Sequence, residues 1–353
     1  MVFHQKKVRA LGLSSGGLDS ILSALVLREQ GIDVAWVSFE TPFFSSDKAR
    51  KASESTGIPL TVRNITPIYV EMLRDPRCGY GQHMNPCLDC HALMFQLAGE
   101  MLQAAGFDFL FSGEVVGQRP MSQTRSSLRY VEKKSGFEGY ILRPLSAQRL
   151  PETIPEINGW IRREALHGIA GRSRKPQIAL AKRFNVSDYP NPAGGCLLTE
   201  KNYCARLQDL FDHAETCTEA ELHLLKHGRH LRISPRTKIV TGRDQKDNEA
   251  IIRRYDPDKD TLIRTVHIPG PVVLVCGPAS RDEVLAAASI CIGYSSAPRH
   301  AAQEVNVIRP EGAETLRCEG LPQDEMRPWI ITEAGGAFSS PKSFLLDLIG
   351  LIP

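Results

Sequence analysis

Residues 8–20 read VRALGLSSGGLDS, and this stretch decides how the first half of the chain folds. Residues 8–13 form a mostly apolar run of strand length, and apolar residues recur at helical spacing over 18–30. A glycine turn joins the two. The paired glycines let backbone N–H groups approach a ligand closely, and the helix offers its positive N-terminal end. The sequence therefore predicts a phosphate-binding turn between a strand and a helix.

The turn supplies a first set of ligand-binding candidates, which are Ser15, Gly16, Gly17, Asp19 and Ser20. No lysine follows at the spacing of a Walker loop. The motif Ser-Gly-Gly-Leu-Asp-Ser resembles the PP-loop of the ATP pyrophosphatase superfamily, whose members cleave ATP between the α- and β-phosphates and adenylate a substrate oxygen. The resemblance implies bound ATP and Mg²⁺, with Asp19 as a catalytic residue that organises the phosphates and the metal. An ordinary glycine-rich turn is the alternative interpretation.

Strands and helices alternate after this turn. Further strands are predicted at 34–39, 60–64 and 107–111, and helices at 47–56 and 92–105. This order predicts an α/β fold with a doubly wound parallel sheet, in which ligands bind at the carboxyl ends of the strands. Phe39 ends the second strand, so we predict that it lies near the adenine.

Composition narrows the class of protein. At 353 residues the chain is long enough for about two domains, and it has no apolar run of about 18 residues. Its first residues, MVFHQKK, are too few and too polar for a signal peptide, so we expect a cytoplasmic protein without a membrane segment. The nine cysteines then favour metal or redox chemistry over a disulfide framework, because cytoplasmic thiols are kept reduced.

The net charge of +3 conceals a basic block at residues 117–183, which holds 14 Lys and Arg against 5 Asp and Glu. Such a block favours a polyanionic partner, and aromatic residues within it are available to stack on bases. A solvated helical surface is the alternative.

Three cysteines are candidate metal ligands. Cys87 and Cys90 can reach one metal, and the asparagine and proline before them predict a turn that stays out of the helix until Cys90. Cys196 follows a glycine turn whose backbone N–H groups can donate to sulfur. Three ligands would leave one iron of a [4Fe–4S] cluster open, whereas structural zinc needs a fourth, for which Cys78 and His91 are candidates. A redox pair is a further alternative.

Residues 112–124, SGEVVGQRPMSQT, together with ILRPL at 141–145, resemble the nucleotide domain of the tRNA 4-thiouridine synthases. The resemblance implies that Gly113 and Gln118 help to form the nucleotide and target-uridine site. The Asn-Pro-Cys-x-x-Cys stretch also resembles the tRNA 2-thiouridylases, which implies that these cysteines are catalytic. The 4-thiouridine synthases normally carry an RNA-binding module of the THUMP type before the PP-loop, and here only seven residues precede the first strand.

The C-terminal part offers another RNA-binding candidate. Residues 238–249, KIVTGRDQKDNE, and the later IPGP motif resemble the small RNA-binding domain of the NFACT family, which implies phosphate contacts by Arg243 and Lys246. We predict a smaller α+β domain here. The proposed limits are 1–190 for the PP-loop domain, 191–235 for a cysteine-bearing loop and helical connector, and 236–353 for the RNA-binding domain.

These features lead to one functional hypothesis. We expect an ATP-dependent tRNA sulfurtransferase that adenylates a uridine carbonyl and replaces its oxygen with sulfur, with sulfide or a cysteine desulfurase as donor. A [4Fe–4S] cluster on Cys87, Cys90 and Cys196 is favoured, and a persulfide on Cys196 or Cys90 is the close alternative. An amide-forming ligase or small-molecule sulfurtransferase with structural zinc is the alternative from another class. A homodimer and the thiolated position are left open.

Overall fold

The computed structural model describes residues 7–190, 196–298 and 300–332. The chain divides into two compact units, unit 1 at Met1–Thr199 and unit 2 at Glu200–Pro353. Gly194 and Gly195 of the predicted glycine turn lie outside the described residues. Within the described ranges, no helix has the length and apolar character needed to cross a membrane.

Unit 1 is built on a five-stranded parallel sheet in the order β3-β2-β1-β4-β5. Its elements in chain order are β1 (Arg9–Leu13), α1 (Leu18–Glu29), β2 (Asp33–Glu40), α2 (Asp47–Thr56), β3 (Leu60–Asn64), α3 (Thr66–Arg74), α4 (Cys87–Ala105), β4 (Phe109–Ser112), α5 (Arg125–Ser135), β5 (Ile141–Leu142), α6 (Ile154–Ile157) and α7 (Lys175–Arg183). The strand order reverses beside β1, so the turn after β1 stands at the switch point where such sheets bind ligands. The α/β prediction is confirmed.

The hydrophobic core of unit 1 fixes this arrangement. Leu22 of α1, Trp36 of β2 and Phe111 of β4 are at most 1% exposed and belong to one cluster. The helix over 47–56 and the strand over 60–64 form at the predicted bounds, because Gly57 takes a positive φ of 66° and ends α2 between them.

One local prediction is wrong. Helix α4 begins at Cys87 and not after Cys90, with Pro86 as its N-cap residue. Proline is tolerated just before the first helical turn, because a backbone N–H at that position would have no intrahelical acceptor. Both cysteines therefore lie in the first turn of α4.

Unit 2 contains a six-stranded antiparallel sheet in the order β11-β10-β8-β9-β7-β6. Its elements are α8 (Lys201–His213), α9 (Glu219–Leu224), β6 (Arg229–Arg232), β7 (Lys238–Thr241), α10 (Gln245–Ile252), β8 (Thr261–Thr265), β9 (Val272–Cys276), α11 (Arg281–Gly293), β10 (Gln303–Arg309), β11 (Gly312–Cys318) and α12 (Gln323–Met326). Helix α11 covers the sheet with Ala287 and Ile290, which are fully buried against Ile263 and Val273. The segment described above as a connector contributes α8, α9 and β6 to this unit.

Candidate nucleotide site and cysteine cluster

The turn after β1 has the backbone geometry of an anion cradle. Gly16 adopts a φ of 69°, its N–H donates to Ser14 Oγ at 3.2 Å, and Gly17 is the N-cap residue of α1. Gly17 has no side chain that could cap the helix, so the first N–H groups of α1 can donate to a ligand. The hydroxyls of Ser15 and Ser20 lie 3.4 Å apart beside this end.

Gly16→Ala is expected to destabilise unit 1 and to abolish measurable ATP binding. A Cβ at Gly16 would lie 2.1 Å from the backbone carbon of Lys48 in α2, and alanine at positive φ costs about 1–2 kcal/mol in addition. Gly57→Ala is the matched control, because Gly57 has a φ of 66° with no atom within 4 Å of the added Cβ. Thermal unfolding and calorimetric ATP titration of both variants measure the difference. Equal ATP affinity in the two variants would refute the packing argument.

Asp19 stands at the centre of the predicted site. Its Oδ2 accepts a hydrogen bond from Gln118 Nε2 at 3.0 Å, which joins the turn after β1 to the loop after β4. Gly113 allows the close approach of that loop, because a Cβ there would lie 2.5 Å from the backbone of Asp19. Burial raises the pKa of Asp19, and the positive charges of Arg174 and Arg119 act in the opposite direction.

Several polar atoms around Asp19 are buried without a hydrogen-bond partner. Among the described residues, they are Asp19 Oδ1, Gln118 Oε1 and both amide atoms of Gln177, although the Gln177 side chain is close enough to Asp19 to lower the pKa of that carboxyl. Native structures rarely leave such atoms unpaired unless a ligand, ion or water completes them. Carboxylate and amide oxygens are ligands that Mg²⁺ accepts, so the residues present fit a magnesium nucleotide.

The sequence reasoning missed Gln177 and Arg174, which belong to the start of α7 and act on Asp19. Arg174 lies within the basic block, which the sequence assigns to a polyanionic partner as a whole without indicating that Arg174 acts on Asp19. The predicted site residue Phe39 is buried at the carboxyl end of β2, where its carbonyl accepts a hydrogen bond from Ser46 Oγ at 3.3 Å. Its place beside the adenine stays a prediction.

A buried ion-pair network lies next to this site. Glu114 follows Gly113 directly, and its carboxylate accepts hydrogen bonds from Arg143 Nε at 3.0 Å and from His91 Nδ1 at 2.8 Å. Arg143 is 2% exposed and also pairs with Glu132. Burial alone would raise the pKa of Glu114, but Arg143 and His91 outweigh it and lower that pKa to about 2. The network holds the first turn of α4 against the loop that contacts Asp19.

Glu114→Gln is expected to cost about 3 kcal/mol of unfolding free energy at neutral pH, because it leaves Arg143 and His91 without this carboxylate. The folded-state pKa of Glu114 is lowered from 4.5, so its contribution is fully present above about pH 4.5 and is lost as the pH falls toward 2. Urea unfolding across this range should therefore show the wild type and the variant converging in acid. Glu138→Gln, at an exposed glutamate, is the control. A difference that does not depend on pH would contradict the assignment.

Cys87, Cys90 and Cys196 are brought together around Tyr69, a residue of α3. Burial is the main cause that raises the pKa of the Tyr69 hydroxyl well above its ordinary value, and all three thiols add to this shift. Charges influence one another in this way only over short distances, so Cys196 lies near Cys87 and Cys90 although more than one hundred residues separate it from them in the sequence. The Tyr69 hydroxyl is buried, and its interaction with the Cys90 thiol shifts the pKa of both groups.

Each thiol has a distinct environment. Cys87 Sγ lies 3.2 Å from Asn85 Oδ1, and the Leu198 N–H donates to Cys196 Sγ at 3.4 Å. Burial raises the pKa of Cys90 to about 12, and the neighbouring Cys196 and Cys87 contribute in the same direction. In the described parts of the chain, no three His, Cys, Asp or Glu side chains stand in a ready metal-binding arrangement.

The candidate fourth ligands for zinc have other contacts. His91 Nδ1 is engaged by Glu114 at 2.8 Å, and the exposed Cys78 is near Tyr130, whose pKa it raises to about 12 chiefly through a hydrogen bond. In unit 2, Arg243 Nε donates to Asp247 Oδ2 at 2.6 Å, whereas Lys246 is exposed.

Residues 5–154 match the family described as thiamine biosynthesis protein (ThiI), and residues 228–330 match the family described as NFACT protein RNA binding domain. The two parts of the chain resemble two different families. The first match contains the turn after β1, Gly113, Gln118, Cys87 and Cys90. The second contains the strands of the antiparallel sheet.

Individual relatives agree with the first match. The chain is 26% identical over 220 residues to the tRNA-specific 2-thiouridylase MnmA 2 of Thermoanaerobacter sp. (strain X514), covering 55% of this chain and 56% of that protein. It is 23% identical over 221 residues to the tRNA-specific 2-thiouridylase MnmA of Caldicellulosiruptor saccharolyticus, covering 56% and 58%. The chain thus spans a little over half the length of these relatives. A solved 4-thiouridine synthetase in complex with RNA and bound ATP has a TM-score of 0.32 and 18% identity, covering 51% of this chain and 52% of that one.

Proposed function

We propose that the chain is an ATP-dependent tRNA sulfurtransferase that activates a uridine carbonyl as an adenylate and replaces its oxygen with sulfur. The observation that carries this proposal is the connection between the two candidate sites. Gly113 packs on Asp19 in the nucleotide turn, and the next residue, Glu114, binds His91 beside Cys90. An enzyme that activates an oxygen with ATP and then delivers sulfur to the same carbon needs these two functions side by side.

The activation step uses the residues around Asp19. The uridine oxygen attacks the α-phosphorus, pyrophosphate leaves, and the nucleobase carbonyl becomes an adenylate. The turn after β1 and the N-terminus of α1 hold the phosphates, while Asp19, oriented by Gln118, provides a negative oxygen for Mg²⁺. Arg119 and Arg174, whose charges act on Asp19, would place positive charge near the departing pyrophosphate, where charge stabilisation lowers the barrier.

The sulfur step belongs to the three thiols. A sulfur nucleophile attacks the activated carbon and displaces AMP, which carries away the original oxygen. Cys87, Cys90 and Cys196 are sulfur donors of the kind that would hold a [4Fe–4S] cluster, and such a cluster would supply hydrosulfide as the sulfur nucleophile. Tyr69 is fully buried beside the three partly buried thiols and limits the access of water from its side.

RNA as the substrate is supported by unit 2 and by the relatives. Residues 228–330 match an RNA-binding family, and the aligned relatives are named as tRNA thiolating enzymes. Some basic residues of the block already form ion pairs within unit 1. These pairs are Arg143 with Glu114, Arg163 with Glu156, and Arg183 with Glu29. We assign the other basic residues of the block, apart from Arg119 and Arg174 at the nucleotide site, to contacts with the tRNA backbone.

The formation of AMP and pyrophosphate tests the activation step. We expect the full chain to convert ATP to AMP in a reaction that requires uridine-containing tRNA and Mg²⁺. Bulk tRNA from an organism without thiolated tRNA is the substrate. The control is tRNA whose target uridine is already a thiouridine. ATP cleavage that proceeds equally without RNA would support the ligase class and refute tRNA as the activated substrate.

A further inference from the structure

Several basic side chains in unit 2 lie near one another, and three of them, Arg206, Arg243 and His227, act on the carboxylate of Asp247 in α10. We call this group the basic cluster, and its members are Arg206, His223, Lys226, His227, Arg243 and Arg254. They come from α8, from the end of α9 and the turn after it, and from the two ends of α10. None of these positions belongs to the nucleotide site of unit 1.

Hydrogen bonds and close approaches fix the geometry of the basic cluster. His227 Nδ1 lies 3.5 Å from Asp247 Oδ1, and Arg243 Nε donates to Asp247 Oδ2 at 2.6 Å. Lys226 Nζ lies 3.2 Å from His223 Nδ1, and Arg254 Nη1 donates to the Ala250 carbonyl at 2.9 Å. The positively charged groups are therefore held in place by the fold.

Arg206 completes the cluster from α8. Its Nη1 donates to the Leu225 carbonyl at 2.8 Å, while its Nε is buried without a hydrogen-bond partner. Burial, followed by the positive charge of Arg243, lowers the pKa of Arg206. Because buried guanidinium atoms are normally hydrogen-bonded, Arg206 Nε is a candidate donor to a phosphate oxygen.

The cluster carries more positive than negative charge. The charged groups that act on His223 are Lys226, Arg254, His227 and Glu219. Those that act on His227 are Arg254, Asp247 and Lys226. Asp247 is already shared with Arg243 and with backbone N–H groups, so it neutralises only part of this charge.

We propose that the basic cluster binds consecutive phosphates of an RNA backbone, and that His223 and His227 gain protons when the RNA binds. This inference rests on the proposed function for the presence of RNA. It goes beyond the family match, because Arg206, His223 and His227 precede the matched residues 228–330. Fixed cations that repel one another in the free protein are stabilised when a polyanion neutralises them, and each partly buried histidine takes up one proton from water.

The direction in which pH changes RNA affinity follows from the pKa shifts of His223 and His227 in the protein without RNA. Burial is the largest cause that lowers the pKa of both histidines, and the neighbouring Lys226 and Arg254 add to it. A nearby phosphate favours the charged imidazole and raises these pKa values. RNA affinity is therefore expected to rise as the pH falls through the histidine range.

Fluorescence anisotropy of labelled tRNA with the full chain tests the inference at constant ionic strength. We expect affinity about tenfold higher near pH 6 than near pH 8, and loss of this pH effect in the double variant His223→Gln and His227→Gln. Lys226→Gln and Arg254→Gln should weaken binding at both pH values, each lowering the salt slope by about 0.7–0.9. Arg317→Gln is the control, because Arg317 is exposed on β11, at the opposite edge of the sheet from β6.

A second measurement keeps the test valid if a variant folds poorly. Histidine titrations followed by NMR on the wild type should show the pKa values of His223 and His227 rising when tRNA is added. Binding that is tight at both pH values, with unshifted histidines, would overturn the inference and leave the proposed sulfurtransferase intact. No tRNA binding at either pH would overturn the inference and tRNA as substrate together, whereas ATP cleavage in unit 1 would still be measured separately.

Discussion

Asp19→Asn is expected to slow AMP formation by about 10²–10³-fold, with little change in thermal stability. Asparagine retains the shape of the side chain and an oxygen that Gln118 Nε2 can reach, but it removes the negative charge that we assign to Mg²⁺. Because Asp19 Oδ1 is buried without a partner, no existing bond of that atom is lost. Initial rates of AMP release at saturating ATP, with Mg²⁺ varied, measure the effect.

The control for Asp19 is Asp33→Asn. Asp33 begins β2, at the opposite end of the strands from the nucleotide turn, and lies 3.6 Å from Arg9 in an exposed ion pair. This variant should form AMP at the wild-type rate, because exposed ion pairs contribute little. If Asp19→Asn also retained the wild-type rate, Asp19 would have no part in activation and the nucleotide site would have to be placed elsewhere.

Cys196→Ala is expected to lower thiouridine formation by at least about 10³-fold while ATP affinity stays unchanged, because the cysteine acts in the sulfur step and not in the nucleotide turn. Cys87→Ala and Cys90→Ala are also expected to lower thiouridine formation while leaving ATP affinity unchanged. Anaerobic reconstitution followed by iron analysis should give about four irons per chain in the wild type and a loss of iron in each variant. Cys318→Ala, in unit 2, is the control and should retain both iron and activity.

The metal analysis also decides between the mechanisms left open by the three thiols. Iron lost from all three variants supports the cluster. Zinc that depends on Cys78 or His91 in addition would indicate a structural site with a fourth ligand. Full activity without any metal would refute the cluster and support a persulfide relay, which mass spectrometry of Cys196 and Cys90 would detect.

Local patterns predicted much of unit 1. The apolar run, the glycine pair and the helical repeat over 8–30 predicted β1, the turn and α1, and the patterns over 47–56 and 60–64 predicted α2 and β3. These elements could be predicted because adjacent residues determine them.

What sequence reasoning missed depends on contacts between distant residues. Tyr69 lies among the three thiols only because α3 packs on α4, and nothing in its own neighbourhood marks it. Gln177 reaches Asp19 because α7 packs on α1. Arg243 was predicted to contact phosphate, but the short distance to Asp247 shows that part of its charge is already used within the fold.

Analysis of tRNA nucleosides by mass spectrometry is the most direct test of the whole account. The full chain, anaerobically reconstituted, would be incubated with ATP, Mg²⁺, sulfide and unmodified tRNA, and the digested nucleosides compared with a reaction lacking ATP. The account predicts one thiouridine for each AMP formed, dependent on both Asp19 and Cys196. Formation of AMP without any thiolated nucleoside, or incorporation of nitrogen in place of sulfur, would contradict it.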